Sequence, residues 1–161
     1  MKKIVPFIIL ISISVSCDKK EITCCTTIDF GLDILIVNAD GVNILDKVDG
    51  IASKDIRLFY RTDSEWIEHF GYDQRNAKGM TVEEINGENR LRVLLTPDYN
   101  NPDYDTRGFT EIKIQFSESD FDIIKGEIDF SNGHVICTKI WCNDVLKWEA
   151  YTSDRLITLI K

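Results

Sequence analysis

The chain has 161 residues, and its 27 Asp and Glu against 19 Lys and Arg give a net charge of −8 at neutral pH. So acidic a chain is a poor candidate for binding nucleic acid or anionic lipid headgroups, both of which draw Lys and Arg clusters, and no nucleic-acid partner is expected. The length allows one domain that buries roughly two-thirds of its unfolded surface, and no second domain is expected.

At the N-terminus, Lys2 and Lys3 precede an apolar run from Ile4 to Ile11, which turns small and hydroxylated through Ser12, Ser14 and Ser16. Charged, apolar, then small is the order of a secretory signal. The run is shorter than the roughly 20 apolar residues that a membrane-spanning helix needs, so a cleaved leader over residues 1–16 is expected. Its loss removes Lys2 and Lys3 and takes the net charge to −10.

Ser14-Val15-Ser16-Cys17 resembles the lipobox of bacterial lipoproteins, in which a small residue precedes a cysteine whose thiol takes diacylglycerol before cleavage. Ser14 stands where leucine is commonest. The resemblance implies lipidation at Cys17, and two or three acyl chains (palmitate among them) anchor stably where one is marginal. Residues 17–25 then form a polar tether. Its Asp18-Lys19-Lys20-Glu21 is similar to the charged segment of Bacteroidota lipoproteins, where lysine followed by acidic residues can direct surface display. Only Lys20-Glu21 fits that pattern. The expected location is the cell envelope at the outer membrane, with surface and periplasmic faces both open.

From residue 26 to 161, runs rich in Val, Ile, Phe, Thr and Trp alternate with Gly, Asn, Asp and Pro clusters, and no long stretch has helical period. That pattern predicts an all-β domain, a single antiparallel β-sandwich of the immunoglobulin-like or a related Greek-key kind with 8–10 strands. Strands are expected near Ile28 to Val37, Asp55 to Arg61, Glu65 to Tyr72, Met80 to Ile85 and Arg90 to Thr96. The second half adds Phe109 to Phe116, Ile123 to Phe130, His134 to Trp141, Val145 to Tyr151 and Leu156 to Ile160.

Turn chemistry sets register. Asn86-Gly87 suits a two-residue hairpin, since both central residues of a type I′ turn need positive φ. It places Val82 opposite Leu91, Met80 opposite Val93 and Glu83 opposite Arg90. Asn132-Gly133 likewise sets Phe130 against Val135 and Ile128 against Cys137, with Asp129 and Glu127 pointing away. A turn at Asn143-Asp144 sets Trp141 against Leu146, Lys139 against Trp148 and Cys137 against Ala150. Both counts point Cys137 inward.

The stretch Asp122-Ile123-Ile124-Lys125, then Thr138-Lys139-Ile140-Trp141, Asn143 and Leu146-Lys147-Trp148, resembles small lipoproteins of Bacteroidota. Asn43-Ile44-Leu45-Asp46 and Asp55-Ile56-Arg57-Leu58-Phe59-Tyr60 are similar to the same group. The resemblance implies the location and the β fold and brings no activity with it.

Four cysteines besides Cys17 remain: Cys24, Cys25, Cys137 and Cys142. An even number in an exported protein permits two disulfides, and free thiols or one bridge from Cys24 or Cys25 to Cys137 or Cys142 both stay open. On one unbroken strand Cys137 and Cys142 fall on opposite faces about 16 Å apart, too far to bond to each other. Cys142 is thus expected at a turn rim, open to thiol reagents. No Cys-x-x-Cys spacing calls for zinc.

Binding candidates lie in two places. The loop Pro97 to Gly108 carries Asp98, Asn100, Asp103 and Asp105, oxygen donors of the type calcium uses, but it lacks the central glycine and final glutamate of an EF-hand. It is read as a solvated loop without metal, in which Tyr99 and Tyr104 could contact a ligand such as a sugar. The second place is the hairpin with Asp63-Ser64 as its turn. It sets Arg61 against Trp66 and Arg57 against Phe70, with Phe59 on the same side. This aromatic and cationic side would serve a partner if exposed, but a covering second sheet is the expectation.

Catalysis has no motif: His69 and His134 lack a paired nucleophile or metal-ligand spacing, and Glu83 and Glu84 point to opposite faces of a strand. No enzyme activity and no cofactor are expected. The sequence reads as a membrane-anchored, non-catalytic binding module for a protein or glycan partner. The alternative is an immunity- or inhibitor-type lipoprotein that binds one protein, for which strong acidity is apt.

Overall fold

A computed structural model describes residues 27–69, 78–95, 107–131 and 134–161. Among them run β1 (Ile28–Asp29), β2 (Gly31–Val37), β3 (Arg57–Thr62), β4 (Glu65–Glu68), β5 (Met80–Ile85) and β6 (Glu88–Leu94). They continue with β7 (Arg107–Gln115), β8 (Phe121–Asp129), β9 (Val135–Cys142), β10 (Val145–Glu149) and β11 (Leu156–Ile160). The larger sheet has the order β1-β9-β8-β7-β3-β4, with β10 also paired to β9, and the smaller has the order β11-β2-β6-β5. The two sheets pack face to face as a β-sandwich.

Alternation builds the interior. Leu58, Ile112, Ile114, Ile124, Ile128 and Ile140 from the larger sheet meet Leu32, Ile34, Ile36, Leu91, Val93, Ile157 and Leu159 from the smaller. All are essentially without solvent contact. Each such side chain is worth about 1.5–3 kcal/mol of burial, which fixes the face every strand turns inward. Gly126 sits where packing is tight: a Cβ there would lie 3.1 Å from the Leu95 side chain and 3.2 Å from that of Thr110, which would each have to give by a few tenths of an ångström.

Three hairpins turn as their sequences predict. Positive φ occurs at both Asp63 and Ser64, both Asn86 and Gly87, and both Asn143 and Asp144, the two-residue pattern whose twist matches that of the strands. The pairs Val82 with Leu91, Met80 with Val93 and Glu83 with Arg90 form as counted. Arg61 pairs with Trp66, and Ile128 with Cys137. Asn132-Gly133 and Phe70 lie outside the described residues.

Several expectations need correction. The predicted strand from Ile28 to Val37 breaks at Phe30, so that β1 pairs with β9 in one sheet while β2 joins the other. The pairings β1 with β9 and β11 with β2 are parallel, making both sheets mixed, and the described strands number eleven. Register slips in two places. Between Glu127 and Ile128, β9 carries Thr138 as an extra residue, and β10 carries Lys147 as one between Leu146 and Trp148. Trp148 therefore pairs with Ile140 and Glu149 with Lys139, one step from the uninterrupted count, and the Ala150 N–H donates to the Thr138 carbonyl.

The extra residue at Thr138 also moves Cys142. A bulge inverts the alternation beyond it, so Cys137, Ile140 and Cys142 all face the interior. Cys142 is buried, not at a rim. Both thiols are free. Burial pushes the Cys137 thiol up to about 11 and raises that of Cys142 as well.

Candidate functional site

The residues opposite the interior on β3, β4, β7, β8 and β9 form one surface. Cross-strand register arranges it in rows. Arg57, Gln115 and Phe121 make one; Glu68, Phe59, Lys113 and Ile123 the next. A third row runs Trp66, Arg61, Glu111, Lys125, Trp141 and Leu146 across six strands. Four strand spacings separate Trp66 from Trp141, about 19 Å. Phe109, Glu127 and Lys139 form the row below.

The smaller sheet packs on the opposite side of these strands, against Leu58, Ile112 and Ile124. The aromatic and cationic side is therefore open, contrary to the expectation of a covering sheet. Strand alternation explains why: Ile56 and Leu58 are the larger aliphatic set, and they take the interior. Arg57 and Arg61 keep about half of their side-chain surface, Phe109 is 49% exposed and Phe121 48%. Phe59 is buried on the open side only because its own neighbours lie over it.

Cations and rings interleave throughout. The Lys113 ammonium sits 4.1 Å from the centre of the Phe59 ring, 5.5 Å from that of Trp66 and 5.9 Å from that of Phe121. Arg57 lies 5.0 Å over Phe59, Arg61 5.8 Å over Trp66, and Lys125 4.5 Å over Phe109. Phe109 and Trp141 meet with their centroids 6.3 Å apart. Such placements are attractive because the ring face is negative.

The charges divide into two kinds. Arg57 is paired with Glu68 and Arg61 with Glu111. The Arg57 hydrogen bond holds the Glu68 carboxyl below the usual carboxylate range. Lys113 and Lys125, by contrast, have no carboxylate partner among the described residues and are held by rings alone. Two shallow grooves open beside Lys125. One, of about 300 Å³, is lined by Phe109, Glu127, Trp141 and Asp144. The other, of about 310 Å³, is lined by Arg61, Glu111, Ile123 and Asn143.

Asn143 stiffens this end. Its side chain accepts from the Ile123 N–H at 2.9 Å and donates to Asp122 at 2.7 Å. Asp122 is buried and also takes the Lys161 ammonium at 2.7 Å.

A larger cleft of about 720 Å³ lies where the chain crosses between sheets, at Asp29 to Gly31 and Ala150 to Arg155. Most of its charges are paired internally, but Arg90 Nε and Arg155 Nε are buried without a hydrogen-bond partner among the described residues. Arg155 grips Asp29 through two nitrogens at 2.7 and 2.9 Å, and Arg92 bonds Asp33 at 2.8 Å and Glu83 at 2.8 Å. Including Glu88 beside Arg90, acidic groups outnumber the arginines there.

Of the binding residues expected from sequence, Arg57, Arg61 and Trp66 come together on the open face. Cys17, Cys24, Cys25, Tyr99, Tyr104, Asp98, Asn100, Asp103 and Asp105 lie outside the described residues. Lys113, Lys125, Phe109, Phe121 and Trp141 were missed. Their signal was present in β7, where Thr110, Ile112 and Ile114 alternate with Phe109, Glu111 and Lys113, leaving Phe109 as an aromatic on the polar side.

The histidines have structural places. His134 Nδ1 accepts from the Thr27 N–H at 3.2 Å, and His69 packs edge-on against Tyr60 with its N–H on the Leu58 carbonyl. Among the described residues no group of three or more His, Cys, Asp or Glu could hold a metal ion. Comparison of the chain with protein-family models, curated proteins and solved structures finds no match.

Proposed function

We propose that this chain is a lipid-anchored, non-catalytic binding module of the bacterial envelope, and that its contact surface is the open face of the larger sheet. The observation that supports the reading is that face itself: five aromatic side chains interleaved with cations, two of which no described carboxylate neutralises. Aromatic rings and arginines supply most of the binding energy where surfaces meet. Phe109 and Phe121 are each about half exposed beside the partly covered Trp66 and Trp141, and apolar surface rimmed by polar groups marks an interaction site. The anchor rests on the leader and Cys17, and the outer membrane is the proposed address.

Footprinting with hydroxyl radicals, on the mature domain with and without envelope material, tests the contact surface. Protection of Trp66, Phe109, Phe121 and Trp141 is expected, with Leu94 and Ile160 of the smaller sheet unchanged. Protection confined to the smaller sheet would overturn the assignment. The anchor has its own test: Cys17→Ala releases the protein from washed membranes, and retention of that variant sinks the lipoprotein reading.

A further inference from the structure

We infer that the open edge of β11 pairs with the same edge of a second copy of this chain, so that their smaller sheets join antiparallel across a two-fold axis. The partner is the chain itself, at a place separate from the contact surface proposed above. Three features of β11 favour this occupant: its open backbone groups, the lack of any guard on them, and a pattern that matches itself.

β11 is bonded on one side only. It lies parallel to β2, where the Asp33 N–H donates to the Arg155 carbonyl at 3.2 Å and the Lys161 N–H to the Val37 carbonyl at 2.9 Å. Parallel pairing engages alternate residues, so Ile157 and Leu159 between them also serve β2. Thr158 and Ile160 turn their N–H and C=O groups the other way, as does the Leu156 carbonyl, and no described residue meets them. The Leu156 N–H is taken by the Asp154 carbonyl at 2.8 Å.

The other described sheet edges carry the devices that block strand addition, charges and irregularity. β5 has Glu83 and Glu84 at its middle, β4 starts on Glu65 and ends on Glu68, and β10 holds Lys147 as an extra residue and ends on Glu149. β11 reads Leu156-Ile157-Thr158-Leu159-Ile160, without charge, proline or bulge. The cations at its two ends are engaged elsewhere: Arg155 lies on Asp29 at 2.7 Å, and Lys161 on Asp120 and Asp122 at 2.7 Å. An unguarded apolar edge is a template for another strand.

The strand is symmetric in character about Thr158, which favours a second copy over an unrelated strand. Antiparallel pairing centred there sets Thr158 against Thr158, Ile157 against Leu159 and Leu156 against Ile160, apolar on apolar and hydroxyl on hydroxyl. The two Thr158 residues exchange backbone bonds, and each Ile160 N–H meets the opposite Leu156 carbonyl. Five residues alone fall short of the roughly 800 Å² per partner of a stable interface, so the flanks must contribute. β1 and β10 border the same side of the sandwich, since both pair with β9 and β10 touches β11. Ile28 and Tyr151 stand exposed at the end where Arg155 holds Asp29, and Val145 and Ile160 at the end where Asp122 bonds Asn143 and Lys161. A two-fold axis exchanges the ends, which brings the apolar pair of one copy toward that of the other.

Disulfide trapping of the full chain in intact cells tests this. Thr158→Cys places two thiols at the two-fold axis, where the Cα atoms of a hydrogen-bonded pair stand about 5.5 Å apart, within the span of a disulfide. Mild oxidation should give a covalent dimer in excess of any that the parent forms, and Thr81→Cys, on the guarded edge strand β5, should add none. Ile160 is 69% exposed and can become lysine without loss of the fold. In the Thr158→Cys chain, Ile160→Lys should cut the trapped fraction about fivefold or more, because a charge on an edge blocks pairing. Sedimentation of the purified parent should give the mass of two chains, and that of Ile160→Lys the mass of one. A parent with the mass of one chain overturns the inference, as does trapping that is equal at Thr158 and Thr81 or untouched by Ile160→Lys. Should Thr158→Cys lose cooperative melting, sedimentation of the parent and of Ile160→Lys decides alone, and a parent dimer that survives Ile160→Lys then places the interface elsewhere.

Discussion

On the outer side of the smaller sheet, Arg92 is clasped by Asp33 and Glu83 and Arg90 lies against Glu88; on the outer side of the larger sheet, Lys113 and Lys125 lie against rings. The strand lattice is the same in both, and so is the interior they share. What differs is the partner given to two cations: Arg57 and Arg61 are paired with Glu68 and Glu111 as Arg92 is with Asp33, whereas Lys113 and Lys125 are not. A carboxylate neutralises a cation and leaves nothing for a ligand to gain, while a ring supports the cation and leaves its charge intact. The outer side of the smaller sheet shows no aromatic residue on β2, β5, β6 or β11; the larger sheet shows five. One face is finished by its own side chains and the other is not.

Both faces rest on one interior, and the largest expected effect lies there. Burial holds the Cys137 thiol protonated to about pH 11, whereas the unfolded thiol ionises near 8.5. The folded pKa is raised, so the contribution is fully present below about pH 8.5 and falls as pH rises toward 11. The full loss is on the order of 3 kcal/mol from this group, and Cys142 acts in the same direction. Urea titrations across that range should show the decline, with a shallower slope in Cys137→Ala. Lys161 acts at higher pH. Burial pulls its pKa down, but hydrogen bonds to Asp120 and Asp122 outweigh this and leave it raised, so its ion pairs are lost only above the ordinary lysine range. At neutral pH neither Cys137 nor Cys142 should react with a thiol reagent until the protein unfolds. Rapid labelling of Cys142 alone would show that the bulge at Thr138 does not invert the strand.

The next effect separates the faces directly. Arg92→Ala strips Asp33, whose side chain is only 18% exposed, of both its bonds. Because the guanidinium itself is partly solvated, a loss of about 1 kcal/mol is expected. Trp66→Ala on the other face should shift stability by a similar amount through lost area, yet only Trp66→Ala should alter binding. A binding defect in Arg92→Ala would show that the finished face takes part.

Sequence reading reached the fold through turns and alternation. Asn86-Gly87 set every pair of the β5–β6 hairpin correctly, because two residues needing positive φ leave no choice of register. It failed at Thr138 and Lys147, since a bulge is an extra residue that no local composition marks and it inverts everything beyond it. Trp148 against Lys139 and Cys142 on the rim were both lost to that one cause. The open face was half legible. Arg57, Arg61 and Trp66 were grouped correctly by the Asp63-Ser64 turn, but whether a second layer covers them depends on which side of β3 the distant strands β2 and β6 pack against. Lys113 and Lys125 came into the group only through the β3–β7 pairing, which joins residues more than fifty positions apart and which no turn count reaches.

The smallest expected effect on stability is the most discriminating between the faces. Lys113→Met removes the charge and keeps an unbranched chain of similar length among Phe59, Trp66 and Phe121. The lost cation–ring attraction is worth about 0.5–1 kcal/mol at an exposed site. Thioether–ring contacts return about 0.3–1.5 kcal/mol, and no carboxylate among the described residues is left stranded, since none of them pairs with Lys113. Unfolding free energy should thus stay within about 0.5 kcal/mol of the parent. Protection of Trp66 and Phe121 by envelope material in the footprint should nevertheless drop. If Lys113 belonged to a finished surface, like Arg92, the two measurements would move together, with stability falling and binding indifferent. Only a cation retained for an external partner predicts that stability holds while binding is lost, and a stable variant that still binds fully would remove Lys113 from the contact surface.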